Sequence, residues 1–290
     1  MINQRNLSLL SNRLAKRGGR RIPEAVLERD YCLSWFLIGL SRTPLNDILA
    51  FKGGTALKKC YIPDYRFSED LDFTLRRETP FEKIQEQLEI GLNYTAQASG
   101  ITLHISRIDR HPHENSHTFF MGYEGPLPGT TSKEVKVDIT IREHLVFPVE
   151  IKPILKAYKE YEDVPEDVKI GVYSLNEIAT EKIVAMLDIA RNEPRDLYDL
   201  WYLAINNFVD LAALTDAVRQ KMTFRGKDLP TTREDIVRKE VRLKKLWNVR
   251  LAAQMTELPG FEQVYRGVLR ELRKAGFWDN WGQVPIYLRD

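Results

Sequence analysis

The sequence predicts an α+β fold, a mixed sheet flanked by helices and followed by a mostly helical C-terminal half. Three observations predict it. Residues 135–141, Val-Lys-Val-Asp-Ile-Thr-Ile, alternate apolar and polar side chains as a half-buried strand does. Residues 48–58 run from a short apolar strand through Gly53-Gly54 into a short helix opening at Thr55. Beyond residue 175 apolar side chains recur mainly at helical spacing.

In chain order, Leu7, Leu9, Leu10 and Leu14 mark a first helix, which the basic stretch 17–21 interrupts. Pro23 suits a helix first turn, and residues 25–40 have the spacing of a mostly buried helix. Residues 80–98 form an amphipathic helix stopped by Gly100, and 101–105 alternate as a strand. Residues 118–122 read as another strand and 125–129 as a turn. His111, His113 and His117, with Glu114, have spacing that suggests zinc. Pro112 and Asn115 make the segment a hairpin loop instead, and no HExxH order or nearby cysteine supports a metal. Residues 145–175, with Pro148, Pro153 and Pro165, read as irregular linker plus a strand. Asn176 is the expected N-cap of a helix burying Ile178, Ile183, Met186, Leu187 and Ala190. The next helix begins near Arg195, and three more are expected over 208–222, 233–255 and 261–275.

Hydrophobic and charged contents of 43% and 29% are those of a globular chain able to bury a core. A net charge of +2 implies no strong global partner preference. Cys32 and Cys60 fall in apolar helical stretches and read as free thiols of a reducing cytoplasm. The polar N-terminus does not read as a signal peptide, and the apolar run 32–40 is shorter than the about 18 residues of a membrane span.

The chemistry concentrates at 51–75. A strand–Gly-Gly–helix junction leaves backbone N–H groups at the helix start, where they can hold a phosphate. In Asp70-Leu71-Asp72-Phe73 the two acids share one strand face while Leu71 and Phe73 take the core. Paired carboxylates repel unless a cation lies between them, and oxygen-only ligands suit Mg²⁺. If 135–141 lies beside this strand, Asp138 adds a third carboxylate. Further along, Asp196 and Asp199 are i,i+3 neighbours at a helix start, where acids also serve the helix dipole.

Gly53-Gly54-Thr55-Ala56-Leu57 followed by Tyr65-Arg66-Phe67-Ser68-Glu69-Asp70-Leu71-Asp72-Phe73 resembles the AbiEii/AbiGii-type nucleotidyltransferase toxins of the DNA polymerase β-like superfamily. Arg195-Asp196-Leu197-Tyr198-Asp199-Leu200 strengthens the resemblance, which covers residues 45–205. It implies a polymerase β-like nucleotidyltransferase core over 1–160, with N-terminal helices, and a helical domain over 161–290 that completes the active site. It further implies two Mg²⁺ ions on Asp70, Asp72 and Asp138, with Glu143 a less favoured stand-in for the third acid. The nucleoside triphosphate would be bound through Gly53, Gly54, Thr55, Arg66 and Ser68, with Lys182 steadying it. Asp196 and Asp199 would serve nucleotide binding or catalysis, which of them remaining open. The family belongs to type IV toxin–antitoxin and phage-abortive systems, so a cognate antitoxin is expected, and the expected acceptor is RNA at the 3′ end of tRNA. The basic residues of 233–274, interleaved with Trp247, Trp278 and Trp281, are candidates for RNA contact, although Glu234, Asp235, Glu240, Glu262 and Glu271 dilute their charge. Two alternatives stay open. One is transfer to a protein or a small molecule; the other is a non-catalytic nucleotide-binding interaction protein.

Overall fold

Alternating segments of the first half assemble into one mixed sheet. The computed structural model describes residues 1–16, 19–109, 115–129, 133–227 and 233–277. His111, His113, Glu114, Trp278 and Trp281 lie outside the described residues. The chain divides into two units: Met1–Glu143 with Val149–Tyr173 and Ala253–Glu257, and His144–Pro148 with Ser174–Ala252 and Leu258–Asp290.

In the first unit, α1 (Gln4–Ala15), α2 (Glu24–Ser41) and α3 (Leu45–Ile48) lead into β1 (Leu49–Lys52). Then follow α4 (Gly53–Ala56), a π turn (Leu57–Tyr61), β2 (Leu71–Leu75) and α5 (Phe81–Ser99). The remaining strands are β3 (Thr102–Asp109), β4 (Ser116–Glu124), β5 (Glu134–Thr140), β6 (Val149–Pro153) and β7 (Lys169–Tyr173). The sheet order is β3-β4-β5-β2-β1-β7-β6. β2 runs parallel to β5 and β1 parallel to β7; the other neighbours are antiparallel.

The two faces of this sheet differ because side chains alternate along each strand. Phe51, Leu71, Phe73, Phe119, Val137, Ile139 and Val172 are all fully buried on one face. Phe81 at the start of α5 stacks on Phe119 there, with ring centroids 5.4 Å apart. α2 is apolar on nearly every side, as a helix buried on nearly all faces must be. It crosses α5 where two glycines meet: a Cβ on Gly91 would lie 3.2 Å from the Gly39 carbonyl oxygen. Thr95 seals the crossing by donating to the Trp35 carbonyl at 3.0 Å. The opposite face carries Lys52, Asp72, Thr118, Lys136, Asp138 and Thr140.

Several elements differ locally from their expected form. The short helix starts at Gly53, not Thr55, because Gly53 itself makes the turn at φ +79. Pro23 is the N-cap of α2, just outside its first turn. Residues 145–175 hold two strands, β6 pairing with β7 from Val149↔Tyr173 to Pro153↔Lys169. β6 closes the sheet order, where a terminal proline costs little because an edge strand has one unpaired side. Cys32 and Cys60 are buried free thiols, and no helix among the described residues is long and apolar enough to cross a membrane.

The second unit is helical: α6 (Leu175–Leu187), α7 (Pro194–Ile205), a 3₁₀ turn (Leu211–Leu214), α8 (Thr215–Phe224), α9 (Arg233–Val237), α10 (Glu240–Leu251) and α11 (Phe261–Lys274). The N-cap of α6 is Ser174, whose hydroxyl accepts from Glu177 N, rather than Asn176. Ala190 lies beyond α6 and is exposed. The helices expected over 208–222 and 233–255 are each divided. Asn207 at φ 55 ends one stretch and Asp210 caps the 3₁₀ turn. Lys239, between α9 and α10, turns inward to donate to Met186 O at 2.8 Å and Asp188 O at 3.0 Å, capping the end of α6.

Candidate active site

Four adjacent strands present one polar row. Lys52 of β1 is opposite Asp72 of β2, Asp72 is level with Asp138 of β5, and Asp138 is opposite Thr118 of β4. Residues in register across a sheet share a face, so these four side chains project together. The structure thus places Asp138 beside Asp72. Asp70 lies one residue before β2, on the same side by alternation. All three acids are partly exposed, so solutes reach them.

The glycine turn abuts this row. A Cβ on Gly53 would stand 2.8 Å from Asp72 Oδ2, so only glycine lets the backbone come so close to that carboxylate. The hydroxyl of Thr55 donates to Asp70 O at 2.5 Å, tying the first turn of α4 to the start of the acid strand. Gly53, Gly54 and Thr55 therefore bring N–H groups without intrahelical acceptors next to the acids. Arg66 is 3% exposed, and its Nη1 donates to Phe67 O at 3.3 Å and Gln254 Oε1 at 3.1 Å. Ser68 is also buried.

Asp138 is held from both sides. Its Oδ1 accepts from the Thr118 hydroxyl and its Oδ2 from the Lys136 ammonium. Partial burial opposes the charge of Lys136. The bond to Asp138, with the fields of Asp138, Asp72 and Asp70, nevertheless raises its pKa above the ordinary lysine value. Lys52 reaches across β2 to Thr140 Oγ1 at 2.9 Å, and its ammonium lies 5.7 Å from the centre of the Tyr173 ring. Lys52 and Thr118 were not legible as site residues, because only strand pairing brings them into the row. Lys136 carried a signal: it lies two residues from Asp138 on the same strand face.

The donor chemistry fits a hard divalent cation: three carboxylates and a threonine hydroxyl, oxygen only, beside backbone that a side chain would otherwise block. Among the described residues no three His, Cys, Asp or Glu side chains close around a common ion position. Both Asp138 oxygens are engaged, by Thr118 and Lys136.

The second unit has its own charged cluster. Lys182 on α6 lies 2.6 Å from Asp196 Oδ1 and 2.8 Å from Asp199 Oδ2, both on α7. Arg191 holds the other Asp196 oxygen at 2.6 Å. Burial pushes the Asp196 carboxyl up, but Lys182 and Arg191 together bring it below its ordinary value. The i,i+3 acids thus share one buried lysine. Next to it Lys221, fully buried, joins Glu177 at 2.7 Å and Glu181 at 3.1 Å. Nothing in the local sequence marked Lys221, which lies at the end of an unremarkable amphipathic stretch. Trp247, a candidate for base stacking, is 3% exposed and donates to Pro259 O at 3.0 Å.

Most of the chain resembles a solved structure, MenT4, the nucleotidyltransferase toxin Rv2826c from Mycobacterium tuberculosis H37Rv. The TM-score is 0.62 at 18% identity, over 94% of each chain. This likeness shows a shared fold. No curated protein sequence matches significantly. The model of the nucleotidyl transferase AbiEii toxin of type IV toxin–antitoxin systems matches residues 35–270. With the glycine turn, the acid strand and most of the helical half inside that match, the chain belongs to the AbiEii family of nucleotidyltransferase toxins.

Proposed function

We propose that this protein transfers a nucleotide from a nucleoside triphosphate to RNA, at the 3′ end of tRNA, and so arrests growth until a cognate antitoxin intervenes. The observation that carries the reading is the level register of Asp72 and Asp138 beside the Gly53 turn. Gly53, Gly54 and Thr55 would receive the triphosphate through the N–H groups of the α4 first turn, with Arg66 and Ser68 adding to its binding. Asp70, Asp72 and Asp138 would hold two Mg²⁺ ions, Asp138 also taking up the proton of the acceptor hydroxyl. Bound there, the ions would lower the pKa of the attacking hydroxyl and neutralise the departing pyrophosphate. The acceptor oxygen bonds to the α-phosphorus as the bond to pyrophosphate breaks. Lys182, bonded to Asp196 and Asp199 within the second unit, is proposed as a nucleotide-binding residue of that unit.

The test is transfer. Purified protein, Mg²⁺, each α-labelled nucleoside triphosphate singly and total tRNA are incubated beside an Asp72→Ala control. Label on tRNA, lost in the control, is the expected outcome. Label-bearing RNA with the control intact would overturn the assigned site.

A second reading, transfer to a protein or small molecule, is favoured by the charge pairing of the C-terminal helices. Lys244 lies 2.6 Å from Glu262, and Arg270 and Lys274 are 3.1 and 3.0 Å from Glu271. With Trp247 buried, those helices offer less to RNA than their composition suggests. Label appearing on a polypeptide or drug in place of tRNA would establish that reading.

A further inference from the structure

The carboxylate row contains a cation of its own. Lys136 and Asp138 are two residues apart on β5, so both side chains project from the polar face. In the parallel pairing Val137 is level with Leu71, which puts Lys136 level with Asp70 and Asp138 level with Asp72. The ammonium is bonded to Asp138 Oδ2 and stands in the field of all three acids. Thr118 fixes the other oxygen, so the carboxylate has a set orientation with its two oxygens divided between a hydroxyl and a lysine. The pair is open to solutes: the Lys136 and Asp138 side chains are 42% and 26% exposed.

We propose that Lys136 is a built-in counter-ion of this row, beside Lys52 opposite Asp72, pairing with Asp138 until a divalent ion arrives and then ceding Oδ2 to it. The inference rests on the reading of Asp70, Asp72 and Asp138 as a metal seat. An ammonium and a dication on the same carboxylate oxygen repel each other, so binding the ion loosens the pair. The lysine thereby weakens metal affinity while it relieves repulsion among the unliganded acids. It acts through Asp138 and is a positioning residue.

The experiment uses the full chain with Mn²⁺ as the probe, without nucleotide or RNA. Wild type, Lys136→Met, Lys136→Arg and Asp72→Ala are compared by calorimetric titration, and their melting temperatures are read with and without Mn²⁺. Lys136→Met is expected to bind Mn²⁺ about tenfold more tightly than wild type, as loss of a competing charge at the site predicts. It should also melt lower without the ion and show a larger upward shift when Mn²⁺ is added. Lys136→Arg, which keeps the charge, should stay near wild type. A merely structural surface lysine would lower the melting temperature without changing Mn²⁺ affinity. Equal or weaker Mn²⁺ binding by Lys136→Met overturns the inference and leaves the metal seat standing, provided wild type binds and Asp72→Ala does not. If, in a parallel transfer assay with nucleoside triphosphate and tRNA, Lys136→Met raises only the KM for nucleotide while its Mn²⁺ affinity is unchanged, the lysine is a phosphate ligand and the inference fails. If neither wild type nor Lys136→Met binds the ion, the metal seat itself is wrong and the inference falls with it.

Discussion

At Gly53 one added carbon would disturb both the backbone and the acid row. Its φ of +79 is left-handed, and a Cβ there would stand 2.8 Å from Asp72 Oδ2. Gly53→Ala is expected to destabilise the protein by about 1–2 kcal/mol from backbone conformation alone, and to displace the Asp72 carboxylate. Transfer should therefore fall further than the loss of folded protein explains. Gly260→Ala, at a position with no neighbouring atom within 4 Å and no positive φ, is the control. Denaturation midpoints and transfer rates of both variants check this; a fully active, fully stable Gly53→Ala would refute it. Alternation made legible that Asp70 and Asp72 share a polar face and that Asp138 is on the polar face of its own strand; that Asp138 lies beside Asp72 was conditional on a strand pairing that the structure supplies. Lys52 and Thr118 reach the row through pairing between distant strands, which no local pattern encodes.

At the scale of elements, periodicity located α1, α2, α5 and the major strands, because each buries one stripe or face against a large apolar partner. It failed where a polar side chain overrode it. What looked like one helix is divided at 238–239, where the Lys239 ammonium turns in to the carbonyls that end α6. The α6–α7 contact also holds a buried charge cluster. Lys182→Met would leave Asp196 and Asp199 buried without their shared cation. Breaking a buried pair from one side costs about 3–5 kcal/mol, so this variant should unfold at markedly lower urea. Lys182→Met/Asp199→Asn should recover part of the loss, because it removes one stranded charge. The pH dependence has a definite sign. Asp196 is held below its ordinary value despite burial, so its contribution is present above the unfolded-state pKa and disappears as pH falls through the folded one. Lys182→Met should weaken that acid limb; identical acid unfolding in variant and wild type would show that the cluster carries no such linkage.

For the molecule as a whole, the near-neutral charge of +2 conceals lysines that the fold buries at a cost. In the first unit Lys58 is 1% exposed, bonded to Tyr65 O at 3.1 Å and the Tyr158 hydroxyl at 3.0 Å. Burial pushes its pKa down from 10.5 to about 8. In the second unit burial likewise brings Lys239 from 10.5 to about 8. Between those two values the unfolded chain holds more protons at these sites than the folded one, so their contribution to stability rises with pH. Groups of the opposite kind bound the effect. Burial raises Cys60 from 9.0 to about 12 and Tyr123 from 10.0 to about 12. Above those unfolded values the folded chain holds the extra protons, and stability falls. The two limbs cross at about pH 9, so urea midpoints should climb from pH 7.5 to about 9 and then decline. Lys58→Met and Lys239→Met should each flatten the climb, and the double variant should abolish most of it. A wild-type midpoint already falling between pH 7.5 and 9 would mean that the buried ammonium groups are not what governs the alkaline limb.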